Sequence, residues 1–122
     1  MRAIQDRITE IVALYRAPMG LDRWNLLVVN AKPDDPEPCK ASCLAMPEYT
    51  MATLTFDLTR LETGDDLEEL VVHEMAHCLT WGLANVAETL AGDDPKLREW
   101  VRLEEERATC QVAESFLRMR RC

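Results

Sequence analysis

Both histidines of this 122-residue chain stand in one pentapeptide, His73-Glu74-Met75-Ala76-His77. On a helix, residues four apart lie one turn above each other, so both imidazoles project from one face. That spacing lets two ring nitrogens converge on one Zn²⁺ at about 2.0–2.1 Å. Glu74 sits about 100° further round the helix, off the line of the imidazoles but within reach of a water on the ion. Zinc lowers the pKa of such a water to about 7, and a neighbouring carboxylate can take its proton as it attacks a polarised carbonyl. Two histidines fall four apart by chance in about one of sixty placements, and a Glu follows the first in about one of nine. Accident alone therefore gives the motif about once in five hundred.

A hydrolytic zinc site takes a third protein ligand and leaves one position open. No histidine remains, so that ligand must be Asp, Glu or Cys. The metzincin continuation fails, because Thr80 and Leu83 stand where it needs Gly and His. A later helical segment offers Glu104, Glu105 and Glu106. With Val101 as zero, Arg107, Gln111, Glu114, Ser115 and Arg118 cover an arc of about 220–320°, and Glu104 falls inside it, facing water. Glu105, at about 40°, and Glu106, at about 140°, lie within the broad apolar arc. Residues three, four and seven beyond Glu106 are Thr109, Cys110 and Ala113, all small, which lets two helices approach closely. The same offsets from Glu105 give Ala108, Thr109 and the bulkier Val112. Glu106 is the expected third ligand and Glu105 the second choice; an i,i+4 pair with Arg102 is the plain alternative for Glu106.

These residues need elements to hold them. Apolar Ile4, Ile8, Ile11, Val12 and Tyr15 keep helical spacing from Arg2 to Tyr15, and Pro18 and Gly20 end that helix. Trp24–Val29 reads as a strand, Lys32–Pro38 with its three prolines as a surface loop, and Ala41–Met46 as a weaker strand. Tyr49–Leu58 alternates most clearly, with Ala52, Leu54, Phe56 and Leu58 on one side. Thr63 with Asp66, or Asp65 with Glu68, offers capping-box spacing for a helix from about Asp66 to Trp81, with Gly82 near its C-cap. With His73 at zero, Leu67, Val71, Val72, Met75, Ala76, Cys78 and Leu79 form its buried back. A short helix is expected over Val86–Leu90, broken by Gly92-Asp93-Asp94. Asp94 as N-cap and Pro95 at the first helical position then open a long helix to Arg118 or beyond. Helix, strands and then helices give an α+β domain with a small antiparallel or mixed sheet, one domain over residues 1–122.

Composition narrows the partners. Net charge is −8, from 22 acids against 14 bases, which argues against nucleic-acid or anionic-membrane binding. The longest aliphatic run, Leu26-Leu27-Val28-Val29, is far too short to cross a bilayer. The opening MRAIQDRITE has no secretory apolar core, and five cysteines, an odd number, fit reduced thiols in the cytoplasm.

H-E-x-x-H on one helix, followed by Glu on the next long helix, resembles the gluzincin metallopeptidases, especially small single-domain members and similar phage and bacterial proteins. The likeness covers about Leu54 to Phe116. It is carried by the motif and by Glu106-Arg107-Ala108-Thr109-Cys110-Gln111-Val112-Ala113, which matches a Glu-x-x-small-small-x-apolar-Ala segment. It implies His73, His77 and Glu106 as zinc ligands, Glu74 as general base, and hydrolysis of a peptide or protein. Zincin architecture also implies an edge strand lining the cleft, and Tyr49–Leu58 is expected in that place, with Thr53, Thr55 and Asp57 facing solvent.

Two rivals stand beside this reading: a non-catalytic binding or regulatory module whose zinc is closed by Glu105 or Cys110, and a zinc hydrolase of non-peptide amides. Cys39 and Cys43 could form a second metal site with Cys78 or Cys110, although buried free thiols are common. Cys78 is expected in the core, as are Trp24, Trp81 and Trp100. Arg118, Arg120 and Arg121 suit a helix C-terminus rather than an anion site. Tyr15, Tyr49 and Arg102 are all open as oxyanion stabilisers.

Overall fold

A computed structural model describes residues 2–31, 40–61 and 66–121. The loop expected over Lys32–Pro38 and the capping residues Thr63 and Asp65 lie outside those residues, as does Cys39.

Helix α1 (Arg2–Arg16) buries Ile8, Ile11, Val12 and Tyr15, the stripe its spacing predicts. It closes through Met19 N–H to Tyr15 O at 3.0 Å and Leu21 N–H to Arg16 O at 2.8 Å, which turns Met19 and Leu21 into the core. Strands β1 (Asn25–Asn30), β2 (Ala41–Met46) and β3 (Met51–Phe56) follow, and they form a mixed sheet in the order β1-β3-β2. β1 runs parallel to β3 and β2 antiparallel to it, with Val28 and Cys43 both opposite Leu54. Leu26, Val28, Cys43, Ala45, Ala52, Leu54 and Phe56 share the face that packs on the helices. Fully burying Leu54 or Phe56 is worth about 1.5–3 kcal/mol each.

β3 is shorter than expected at both ends. Pro47–Tyr49 is a 3₁₀ turn, and Thr50, at φ 47°, takes the left-handed conformation that closes the β2–β3 connection. Beyond Phe56, Asp57 accepts from Thr59 N–H at 3.1 Å and turns the chain. The edge role expected of Tyr49–Leu58 is corrected, since β3 is the central strand with both backbone edges paired. Thr53 and Thr55 are half-buried on the outer sheet face, where their neighbours Leu27 and Leu44 are exposed, whereas Asp57, expected to face solvent, is buried. The most regularly alternating strand has taken the most covered position.

Helix α2 (Leu67–Ala91) starts at Asp66, whose carboxylate accepts from Glu69 N–H at 3.0 Å. It does not end near Gly82. It runs through Gly82 and absorbs the segment expected as a separate helix over Val86–Leu90. A mid-helix Gly costs about 1 kcal/mol relative to Ala, and packing against the next helix outweighs that. Gly92, at φ 60°, is the actual stop. Helix α3 (Pro95–Arg121) opens as expected, with the Asp94 carboxylate accepting from Lys96 N–H at 2.9 Å and Leu97 N–H at 3.3 Å. Val71, Val72, Met75, Ala76 and Cys78 are buried, whereas Leu79 is exposed. Trp24 and Trp81 pack on the core, but Trp100 is 63% exposed, because it lies where no sheet backs the helix pair. Near the end of α3, Arg118 pairs with Glu114 and Arg120 lies over the Tyr15 ring. The architecture is α+β, and among the described residues no helix is long and apolar enough to cross a membrane.

Candidate metal centre

His73 and His77 stand one turn apart on α2, with ring centroids 5.0 Å apart and planes at 87°. α3 runs back along α2 and brings two adjacent glutamates to them from different sides. Glu106 Oε1 lies 2.8 Å from His73 Nε2, and Glu106 Oε2 lies 3.8 Å from His77 Nε2. Glu105 Oε1 lies 2.8 Å from the other nitrogen of His77, Nδ1. One carboxylate thus faces the Nε2 atoms of both rings, and its neighbour holds the back of one ring.

The small residues predicted this approach. Thr109 and Ala113 are buried between the helices, and Thr109 lets Glu105 sit deep, its side chain 16% exposed against 47% for Glu106. Thr80 Oγ1 donates to Glu105 Oε1 at 3.2 Å and lies 2.9 Å from Thr109 Oγ1. Thr109 Oγ1 in turn is 2.8 Å from the Glu105 carbonyl oxygen. Glu104 pairs with Arg107 on the exposed side, as its phase requires. Arg102 pairs with Glu99, and Glu106 is turned to the histidines.

Burial works against a charge on His77, but the hydrogen bond and charge of Glu105, with Glu74 and Glu106, outweigh it and raise its pKa. Burial likewise pushes the Glu105 carboxyl up, while His77, Thr80 and Thr109 pull it below the usual carboxylate range. Glu74 is 6% exposed, and its carboxylate falls within 4.8 Å of donor nitrogens on both histidines.

Among the described residues, three overlapping trios have donor atoms within 4.8 Å of one another. They are His73, Glu74, His77; His77, Glu105, Glu106; and His73, Glu106, Cys110. None holds His73, His77 and Glu106 together; Glu106 instead reaches each histidine with a different oxygen. A tetrahedral ion with bonds of about 2.0–2.1 Å sets its donors about 3.3 Å apart. The 2.8 Å distance falls below that value and the 3.8 Å distance above it, each made by a different oxygen of Glu106. Two imidazoles and a carboxylate are also the donor types of an open hydrolytic zinc site.

Other residues singled out in the sequence fall elsewhere. The Tyr15 hydroxyl donates to Glu68 at 3.0 Å, and Tyr49 is 67% exposed at the β2–β3 turn. Cys43 and Cys78 are hydrogen-bonded behind α2; that bond lowers the Cys78 pKa and, with burial, raises that of Cys43. Cys110 lies on the other side, its sulfur 3.9 Å from His73 Nδ1. A cavity of about 550 Å³ opens beside His73 between Asp66, Glu69, Glu114 and Arg118.

The supporting role of Glu105, Thr80 and Thr109 was not read from the sequence. Its signal was there, since Thr80 follows His77 by three residues and Thr109 follows Glu105 by four, each on its partner's face. Comparison with protein-family models, with curated proteins and with solved structures gave no match.

Proposed function

We propose that the chain is a zinc-dependent metallopeptidase of gluzincin type, acting on peptide or protein substrates in the cytoplasm. The observation that carries this reading is the placement of one carboxylate, Glu106, against Nε2 of both His73 and His77, with Glu74 buried beside them. His73, His77 and Glu106 would hold the ion. When bound, it supplies a Lewis acid for the substrate carbonyl and brings the pKa of a water toward about 7.

The chain's own residues do the rest. Glu105 accepts from His77 Nδ1–H, which fixes the tautomer and leaves the Nε2 lone pair for a ligand bond. Thr80 and Thr109 hold that carboxylate in place. Glu74 takes a proton from the attacking water and returns it to the leaving nitrogen. A proton transfer of this kind contributes typically about 10²–10⁴-fold in rate. The cytoplasmic assignment is supported by Cys43, Cys78 and Cys110, all free thiols.

Cys110 favours one second reading. Its sulfur joins His73 and Glu106 in one of the trios, so it could close the shell and make the zinc purely structural. The Glu74→Gln variant separates the two. In the enzyme it folds, keeps one zinc per chain and loses hydrolysis of a pooled peptide library. Parent and variant equally inert while both hold zinc, together with zinc loss in Cys110→Ser, would establish the structural module. Equal cleavage by parent and variant would remove Glu74 as the base.

A further inference from the structure

Beyond Gly82, α2 runs past the sheet, and the apolar side of the helix continues in the same phase. Leu79, Leu83, Val86 and Leu90 recur at spacings of four, three and four, a stripe about 60° wide at 100° per residue. It is not covered: Leu83 is 79% exposed and Leu90 82%. On α3 beside it, Leu97, Trp100 and Leu103 are exposed as well. Between the helices runs a groove of about 580 Å³, lined by Leu83, Ala84, Ala87, Trp100 and Ala108. Knobs at heptad spacing thus lie next to a groove into which three alanines, Ala84, Ala87 and Ala108, leave room for a partner's side chains.

We infer that this seam binds a second copy of the chain, the two α2–α3 hairpins packing as a four-helix bundle about a two-fold axis. Two quantities favour a copy over another partner. The seven exposed residues keep on the order of 800 Å² of accessible surface, which is what one side of a standard stable interface buries. Charge permits self-association here. Residues 79–103 carry four acids, Glu88, Asp93, Asp94 and Glu99, against three bases, Lys96, Arg98 and Arg102, while the whole chain carries −8. The seam is close to neutral, and the repulsive charge lies away from it. A self-complementary stripe closes into a dimer and exposes no further copy of itself. The inference does not depend on the zinc reading.

Light scattering on the full chain after size exclusion should give twice the 14.0 kDa chain mass, over concentrations from about 5 to 100 µM. Leu83→Glu with Leu90→Glu should raise the dissociation constant at least about 100-fold and give the monomer mass, with the far-ultraviolet circular dichroism unchanged. Both positions are exposed, so neither change opens the core. Should the pair unfold, Leu90→Lys alone, next to the hairpin turn, carries the same expectation. A monomeric parent would overturn the proposal, as would a dimer that survives the seam variants. So would a dimer lost instead through Leu27→Glu on the outer sheet face.

Discussion

The two ends of the α2–α3 hairpin are built from the same helices and behave as different materials. At the inner end, α1 and the sheet back α2, small residues draw α3 close, and Ala76, Thr109 and Ala113 are buried. Among the described residues, no buried side-chain polar atom there or elsewhere lacks a partner. At the outer end none of the described residues backs the pair, and Leu83, Leu90 and Trp100 are exposed. Side-chain chemistry alone does not separate these ends, since leucines and alanines occur along both. A third layer does, because it fixes the helices tightly enough to hold donors within tenths of an ångström.

The comparison is broken most directly at the inner end. His73→Ala with His77→Ala should abolish zinc binding, read as metal per chain after reconstitution. Glu106→Ala should weaken binding more than about 100-fold, while Glu105→Ala, which removes only the partner of Nδ1, should cost about 10–100-fold. Glu104→Ala should change nothing measurable. A larger loss from Glu105→Ala would exchange the two roles.

A smaller effect belongs to the same end in the metal-free protein. The raised pKa of His77 gives stability that is present below its unfolded value and lost as pH rises through the folded one. The lowered pKa of Glu105 gives stability present above its unfolded value and lost as pH falls through the folded one. The pair therefore supports the fold best between about pH 4.3 and 6.5, the unfolded values of the two groups. Denaturant melts of metal-free protein across pH should peak in that window, and Glu105→Gln should flatten the profile.

The smallest effect is at the junction between the ends. Gly82 is exposed, its backbone is ordinary helix, and a β-carbon there would meet nothing within 4 Å. Gly82→Ala should stabilise the fold by about 0.5–1 kcal/mol, seen as a rise in the urea midpoint at constant slope.

These cases also mark what the sequence could carry. The histidine spacing, the Asp94-Pro95 helix start and the β2 boundaries at Ala41 and Met46 are local, and each lies where the residues placed it. Gly82 was misread because a glycine near a helix end and one inside a longer helix look alike until the packing partner is known. Trp100 was expected in the core as a tryptophan, although its phase, about 260° with Val101 as zero, lies inside the charged arc, and there it is exposed. Glu105 and Glu106 differ by which imidazole nitrogen they meet, and that depends on how deep α3 sits. The order β1-β3-β2 is likewise a long-range property that strand patterns do not encode.

That strand order governs how the chain can assemble. β3 is last of the three in sequence and central in space, so β1 and β2 have no mutual pairing to form while it is missing. A chain emerging from the ribosome carries two unsatisfied strand edges until Phe56 is free, and neither can zip onto its neighbour in sequence. Closing β1 against β3 also means joining segments separated by a long stretch of chain, an entropic cost met before its contacts repay it. Insertion of β3 is therefore the expected slow step of folding, and substitutions that weaken it should lengthen the time during which unpaired edges can capture other chains.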